Sequence, residues 1–171
     1  MANQLQYTGM LCFDSPLGWL RVTSTAGGVR EVWFCDTGKE ERGKEGLEGL
    51  SPDTRCMETQ KQLEEYFEGR RTSFDLPLDL AGTGFQRAVW AELLRVPFGR
   101  TISYRDLSIR IGNVKAIRAV GHANGQNPLP ILVPCHRVIG ADGSLTGYGG
   151  GLWRKKILLS LEKCLPPELG F

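Results

Sequence analysis

Ser103-Tyr104-Arg105-Asp106-Leu107-Ser108-Ile109-Arg110-Ile111-Gly112-Asn113-Val114-Lys115-Ala116-Ile117-Arg118-Ala119-Val120-Gly121-His122 reads as two short helices around a glycine turn. The Ser-x-x-Asp form of Ser103 to Asp106 is a helix start, because the serine oxygen can accept from the backbone three residues on. The first helix runs through Leu107 and Ile111 to Gly112-Asn113. Beyond the turn, Val114, Ile117, Val120 and Gly121 fall on one face of a second helix, and Lys115, Arg118 and His122 on another. A helix pair of this kind is a helix-turn-helix candidate.

Upstream of that pair, Phe85, Val89, Trp90, Leu93 and Leu94 have the spacing of an amphipathic helix that ends before Pro97. Downstream, 151–163 reads as a helix with Trp153, Ile157 and Leu161 one turn apart. Before it lies 140–151, a glycine-rich loop. The N-terminal part differs in kind. Residues 10–13, 19–25 and 29–34 are short apolar or β-branched runs separated by Ser15-Pro16-Leu17-Gly18 and Ala26-Gly27-Gly28, the pattern of a three-strand meander. A surface loop is expected over 40–50, a helix over 53–67 with Met57, Leu63 and Phe67 near helical spacing and Gly69 at its end, and an extended connection over 74–80. The fold class expected is α+β: a small antiparallel sheet lobe with a helix at 1–80, then a mostly helical lobe at 81–171.

The 171 residues carry a net charge of +2 that hides an asymmetry. Residues 1–84 hold nine Lys/Arg against fourteen Asp/Glu, a net of −5, whereas 85–163 hold twelve against four, a net of +8. A basic second half suits a polyanionic partner. No apolar run is long enough to span a bilayer, and the N-terminus lacks the basic-then-apolar layout of a secretory signal, so a cytoplasmic protein is expected. Five cysteines at irregular spacings fit free thiols, and no Cys-x-x-Cys or His-x-x-x-His spacing supports a metal site.

Ile131-Leu132-Val133-Pro134-Cys135-His136-Arg137-Val138-Ile139-Gly140 places a thiol, an imidazole and a guanidinium inside an apolar run. Buried polar groups without partners cost about 1–3 kcal/mol each, so such a cluster requires a reason. Activation of sulfur supplies one: the thiolate is the nucleophile, and a histidine that takes the proton raises its availability. Adjacent side chains seldom share a face, which favours a bridging water over a direct bond between Cys135 and His136.

This run, preceded by Asn127-Pro128-Leu129-Pro130, resembles the active-site region of the O6-alkylguanine-DNA alkyltransferases. The resemblance extends through Phe85-Gln86-x-x-Val89-Trp90, Pro97-Phe98-Gly99-x-Thr101-x-Ser103-Tyr104, Arg118-Ala119-Val120-Gly121 and Gly147-Tyr148-x-Gly150-Gly151-Leu152, covering most of 85–163. It reaches the first lobe only loosely, through Asp14-Ser15-Pro16-Leu17-Gly18.

The resemblance implies single-turnover repair of double-stranded DNA by a cofactor-free, monomeric protein. An alkyl group passes from O6-alkylguanine, and from O4-alkylthymine, to Cys135 after the base is flipped from the minor groove. It implies that His136 is the base, acting through a water, and that Glu162 orients it. Tyr104 would donate a proton to the leaving guanine. Arg118 would fill the space of the extruded nucleotide, with Lys115 beside it and the small residues Ala116, Ala119 and Gly121 letting the helix approach the groove. Asn127 would tie the turn before the reactive cysteine. Val138, Tyr148 and Gly149 would line the base pocket, Val138 and Cys135 offering carbonyls to the exocyclic amine. Some members carry Ser where this chain has Gly149; either supplies the backbone N–H needed there. A lesion-binding module without transfer is the alternative, and members of that kind lack the acceptor cysteine present here. A cysteine hydrolase is a further alternative, distinguished by repeated release of product.

Overall fold

The computed structural model describes residues 6–36 and 46–165, and the chain divides into two compact units, Met1–Leu80 and Ala81–Phe171. The expected surface loop therefore lies outside the described residues over 40–45. Its remainder, 46–50, forms turns in which Leu47 is buried.

In the first unit, β1 (Tyr7–Phe13), β2 (Leu20–Thr25) and β3 (Gly28–Phe34) form an antiparallel sheet in the order β1-β2-β3. The turns foreseen between the apolar runs separate them, and β1 begins three residues earlier than the run at 10–13 suggested. Helix α1 (Thr54–Phe67) packs on the sheet through Cys56, Thr59, Gln62, Leu63 and Tyr66, while Met57 points outward. The inward stripe is thus rotated from the one that Met57 and Phe67 suggested. Residues 74–80 are extended where Val29 exchanges backbone bonds with Pro77 and Asp79, each of 2.8 Å.

Asp53 starts α1. Its carboxylate accepts from Cys56 N at 2.9 Å, Ser24 Oγ at 2.6 Å and Thr8 Oγ1 at 2.9 Å. Those donors hold its pKa down at about 2, against the opposing effect of burial. Replacing Asp53 with Ala should cost about 0.5–2 kcal/mol, the range for a lost helix cap. Because the folded value lies below the unfolded one, this contribution is present above the ordinary carboxylate range and disappears as pH falls toward 2. Urea unfolding of both forms at pH 7 and pH 2.5 checks it: the gap between them should narrow in acid.

In the second unit, α2 (Gly84–Leu93) opens with a capping box, Gln86 N donating to Thr83 Oγ1 at 3.2 Å and Thr83 N to Gln86 Oε1 at 2.9 Å. It buries Val89, Trp90 and Leu93, and the Trp90 indole donates to Ala123 O at 2.9 Å. Phe85 and Leu94, expected on the same stripe, are 39% and 47% exposed. A two-residue strand, β4 (Ile102–Ser103), runs into α3 (Tyr104–Arg110), whose cap is Ser103 accepting from Asp106 N at 3.0 Å. Helix α4 (Ile117–Gly125) follows the Gly112 turn. The reactive run forms a single 3-10 turn, Cys135–Arg137, then β5 (Val138–Ile139), and α5 (Leu152–Leu161) closes the unit.

Two helix faces depart from the spacing. Helix α4 begins with Ala116 as its cap, so Val114 and Lys115 precede it, and Val114 and Ile117 are exposed at 57% and 41%. The buried stripe is Val120, Ala123 and Asn124. Reading one helix from 114 set the wrong phase, since the turn resets it. In α5 the buried side chains are Arg154, Lys155, Leu158 and Leu159, whereas Trp153 is 45% exposed. Two cations on the inner face concealed that stripe.

Candidate active site

The short parallel pairing of β4 with β5, Ile102 beside Val138 and Ser103 beside Ile139, brings the start of α3 next to the reactive turn. Tyr104 therefore emerges beside residues more than 30 positions away in sequence. Its hydroxyl donates to Thr146 O at 3.0 Å, which places the phenol against the glycine-rich loop. Gly121 on α4 faces the Tyr104 ring, where an added Cβ would stand 3.7 Å from it. That is an ordinary van der Waals distance, so this contact does not by itself require glycine.

Cys135 is 5% exposed, and His136 is fully buried. Burial pushes the Cys135 thiol up to about 11, against the lowering effects of the Asn127 side chain and the nearby Lys155 charge. The group is thus a thiol at rest, and any nucleophilic chemistry at this sulfur would first require loss of its proton. His136 is held below the usual imidazole value by burial, which outweighs its carboxylate partner. A neutral imidazole at pH 7 can accept that proton.

Glu162, at the end of α5 and 1% exposed, is where the buried polar groups converge. His136 Nε2 lies 2.7 Å from its Oε1. Arg137 donates Nε to Oε2 at 2.8 Å and Nη2 to Oε1 at 3.0 Å, and its Nη1 bonds Val96 O at 2.5 Å. Gly99 N adds a donor at 3.4 Å, and the positive φ of Gly99 (76°) is a backbone shape that a side chain would strain. His136 Nδ1, in contrast, is buried without a protein hydrogen-bond partner among the described residues.

The turn before the cysteine is locally strained and tied down. Ile131, buried and β-branched, has φ of 75°, a left-handed conformation costing about 1–2 kcal/mol. Asn127 spans it, donating Nδ2 to Val133 O at 2.7 Å and accepting from Leu129 N at 2.9 Å. Asn124 Nδ2 reaches Cys135 O at 3.4 Å.

Lys155 was not foreseen. It is fully buried, and its Nζ donates to Val138 O at 2.5 Å, Thr146 O at 3.1 Å and Gly147 O at 3.3 Å. Desolvation brings it down to about 8, with the Cys135 charge opposing. The Val138 carbonyl, expected to meet a base amine, thus already has a donor on one of its two acceptor directions. A signal for Lys155 did exist: Lys155, Leu158 and Glu162 share the i, i+3, i+7 stripe. Arg137 and Asn124 complete the site and were likewise given no role by the sequence reading.

Gly149 and Tyr148 stand on the loop, with the Tyr148 hydroxyl buried and its pKa well above 10 through desolvation. Gly151, with φ of 93°, ends that loop and caps α5. Arg118 and Ala119 are exposed on α4, and Ala116 is partly exposed at its start. Lys115 is exposed in the preceding turn, off the helix face assigned to it. Among the described residues no three His, Cys, Asp or Glu side chains gather as metal ligands, and no helix is long and apolar enough to cross a membrane.

The two units match two family models: residues 7–80 the ribonuclease-like domain of 6-O-methylguanine DNA methyltransferase, and residues 84–164 its DNA-binding domain. A methylated-DNA–protein-cysteine methyltransferase of Mycobacterium leprae is 56% identical over 88% of this chain and 89% of its own length. The Mycobacterium bovis protein of the same name is 58% identical over 62% of this chain, a match that spans 64% of that relative. A crystal structure of Mycobacterium tuberculosis OGT in complex with DNA superimposes with a TM-score of 0.82 at 44% identity, covering 91% of this chain and 93% of that one. By both domain matches and by 56% identity over 88% of its length to a relative, the chain belongs to the 6-O-methylguanine DNA methyltransferase family.

Proposed function

We propose that this protein repairs DNA in the cytosol as a monomer, moving the alkyl group of O6-alkylguanine to Sγ of Cys135 in one irreversible step. O4-alkylthymine is accepted by the same route. The S–C bond forms as the C–O6 bond breaks, and the bonding pair leaves with guanine. The Cys135 proton passes through a water to His136 Nδ1, and Tyr104 protonates the departing base. The observation that carries this reading is the buried contact of 2.7 Å between His136 Nε2 and Glu162, which leaves Nδ1 as the ring atom able to accept. Glu162 orients the ring and stabilises the imidazolium formed, while Arg137 keeps Glu162 in place. Lys155, near Cys135, favours the thiolate as it appears.

The thiol is too buried to meet a stacked base, so the nucleotide has to leave the duplex. Arg118, exposed on α4, fills the gap. The direct test is mass spectrometry after incubation with DNA bearing O6-methylguanine. One methyl group on the peptide containing Cys135, and no more with excess DNA, is expected; an unmodified peptide at stoichiometric excess would sink the proposal. Arg118→Ala should slow transfer from duplex DNA by on the order of tenfold or more, the scale of a few kcal/mol of unstacking. Its reaction with the free base should be unchanged. Equal losses on both substrates would remove Arg118 from the flipping step.

A further inference from the structure

The first unit contains a cavity whose chemistry alkyl transfer does not use. Its volume is about 430 Å³, within the range of small-molecule sites, and its walls include Met10, Cys12, Arg21, Trp33, Cys35 and Leu47. Strand pairing sets Cys12, Arg21 and Trp33 side by side across the three strands, so that they share one face of the sheet. Arg21 is only 6% exposed. Its Nε and Nη2 are buried without a hydrogen-bond partner among the described residues, and the indole Nε1 of Trp33 is in the same condition. The guanidinium carbon lies 5.8 Å from the centre of the Trp33 ring, and no carboxylate among the described residues pairs with it. Glu48 also lines the cavity, yet forms no ion pair with Arg21.

A cation withdrawn from water without an anion is costly, and one ring face offsets little of that. The two orphaned donors, Nε and Nη2, form the edge of the guanidinium that takes a carboxylate in a two-pronged bond. Among the described residues the remaining walls are a thioether, two thiols, an indole and a leucine, which suit an apolar body. Residues 1–84 carry nine basic against fourteen acidic side chains, and Glu48 stands on the cavity wall, so a polyanion is disfavoured. We propose that this cavity is a binding site for a small monocarboxylate with an apolar body, forked on Arg21 and packed against Trp33. Because Nε and Nη2 are covered from solvent, binding includes a rotation of the guanidinium toward the cavity.

Calorimetric titration of the full chain with benzoate tests the site. One saturable site is expected, with benzamide, its neutral isostere, binding weaker by about tenfold or more, as befits a lost charge-assisted fork. Arg21→Met keeps the unbranched stem and should reduce benzoate to the benzamide level. It should also raise the melting temperature, because it removes an unpaired buried cation. In the unaltered protein, the Trp33 indole N–H and Arg21 Nε–H resonances should shift together along the titration, a readout that needs no variant. Methyl transfer to Cys135 should be unaffected in Arg21→Met, which separates this site from the repair reaction. Absence of saturable benzoate binding, equal binding of benzamide, or unchanged affinity in Arg21→Met would each overturn the proposal. So would inorganic phosphate binding as tightly as benzoate.

Discussion

Cys135→Ser is expected to abolish alkyl transfer while leaving affinity for duplex DNA intact. The exchange of sulfur for oxygen changes little in shape, so the buried turn around Ile131 and its ties through Asn127 and Asn124 should persist. The chemistry changes far more. Burial already raises the thiol to about 11, and an alcohol in the same pocket would be harder still to ionise. Oxygen is also the poorer nucleophile toward a saturated carbon. Loss of all transfer, read by mass spectrometry, with unchanged fluorescence anisotropy on a lesion-bearing duplex, is the predicted pair of results. A methyl group found on Cys12, Cys35, Cys56 or Cys164 of the variant would show that the acceptor is elsewhere.

Glu162→Ala should have the largest effect on stability. The carboxylate neutralises Arg137 through two bonds and holds His136 through a third, all among groups buried from water. Removing one partner of a buried ion pair leaves the other charge uncompensated, at a cost of about 3–5 kcal/mol. Transfer should fall as well, by on the order of 10²–10⁴, since the imidazole loses both its orientation and its counter-charge. Glu162→Gln separates these roles. Its amide oxygen can still accept from Arg137, so it should unfold at a denaturant concentration between those of the unaltered and alanine forms. It cannot stabilise an imidazolium, so its single-turnover rate should nevertheless drop by tenfold or more, roughly one hydrogen-bonded charge. If the glutamine form transfers methyl at the unaltered rate, Glu162 acts only in stability.

The local elements of both units were legible because they rest on short-range chemistry. Ser103 and Asp106 announced the start of α3, Gly112 its end, and Ala26-Gly27-Gly28 the turn between β2 and β3. The reactive run was legible for a related reason: a thiol, an imidazole and a guanidinium within apolar sequence are unusual as residue types, whatever surrounds them. What failed was the assignment of faces. The turn after α3 resets the helical phase, so Val114 and Ile117 became exposed although their spacing looked inward. In α5 the buried Arg154 and Lys155 lie on the inner face and Trp153 outside, against any rule that ranks side chains by polarity.

Residue types and periods alone therefore determined the kinds of element and the two-part organisation expected, and they singled out the Cys-His-Arg run, whose roles came from the family resemblance. Tertiary structure decided which charged side chains are buried and what neutralises them. Lys155 is inside because the carbonyls of Val138, Thr146 and Gly147 meet its ammonium, and Glu162 because Arg137 and His136 face it. None of those partners lies on the same helix as the charge it satisfies. A period along one helix says which residues share a face, but the cost of burying a charge is set by the groups that another segment brings to it.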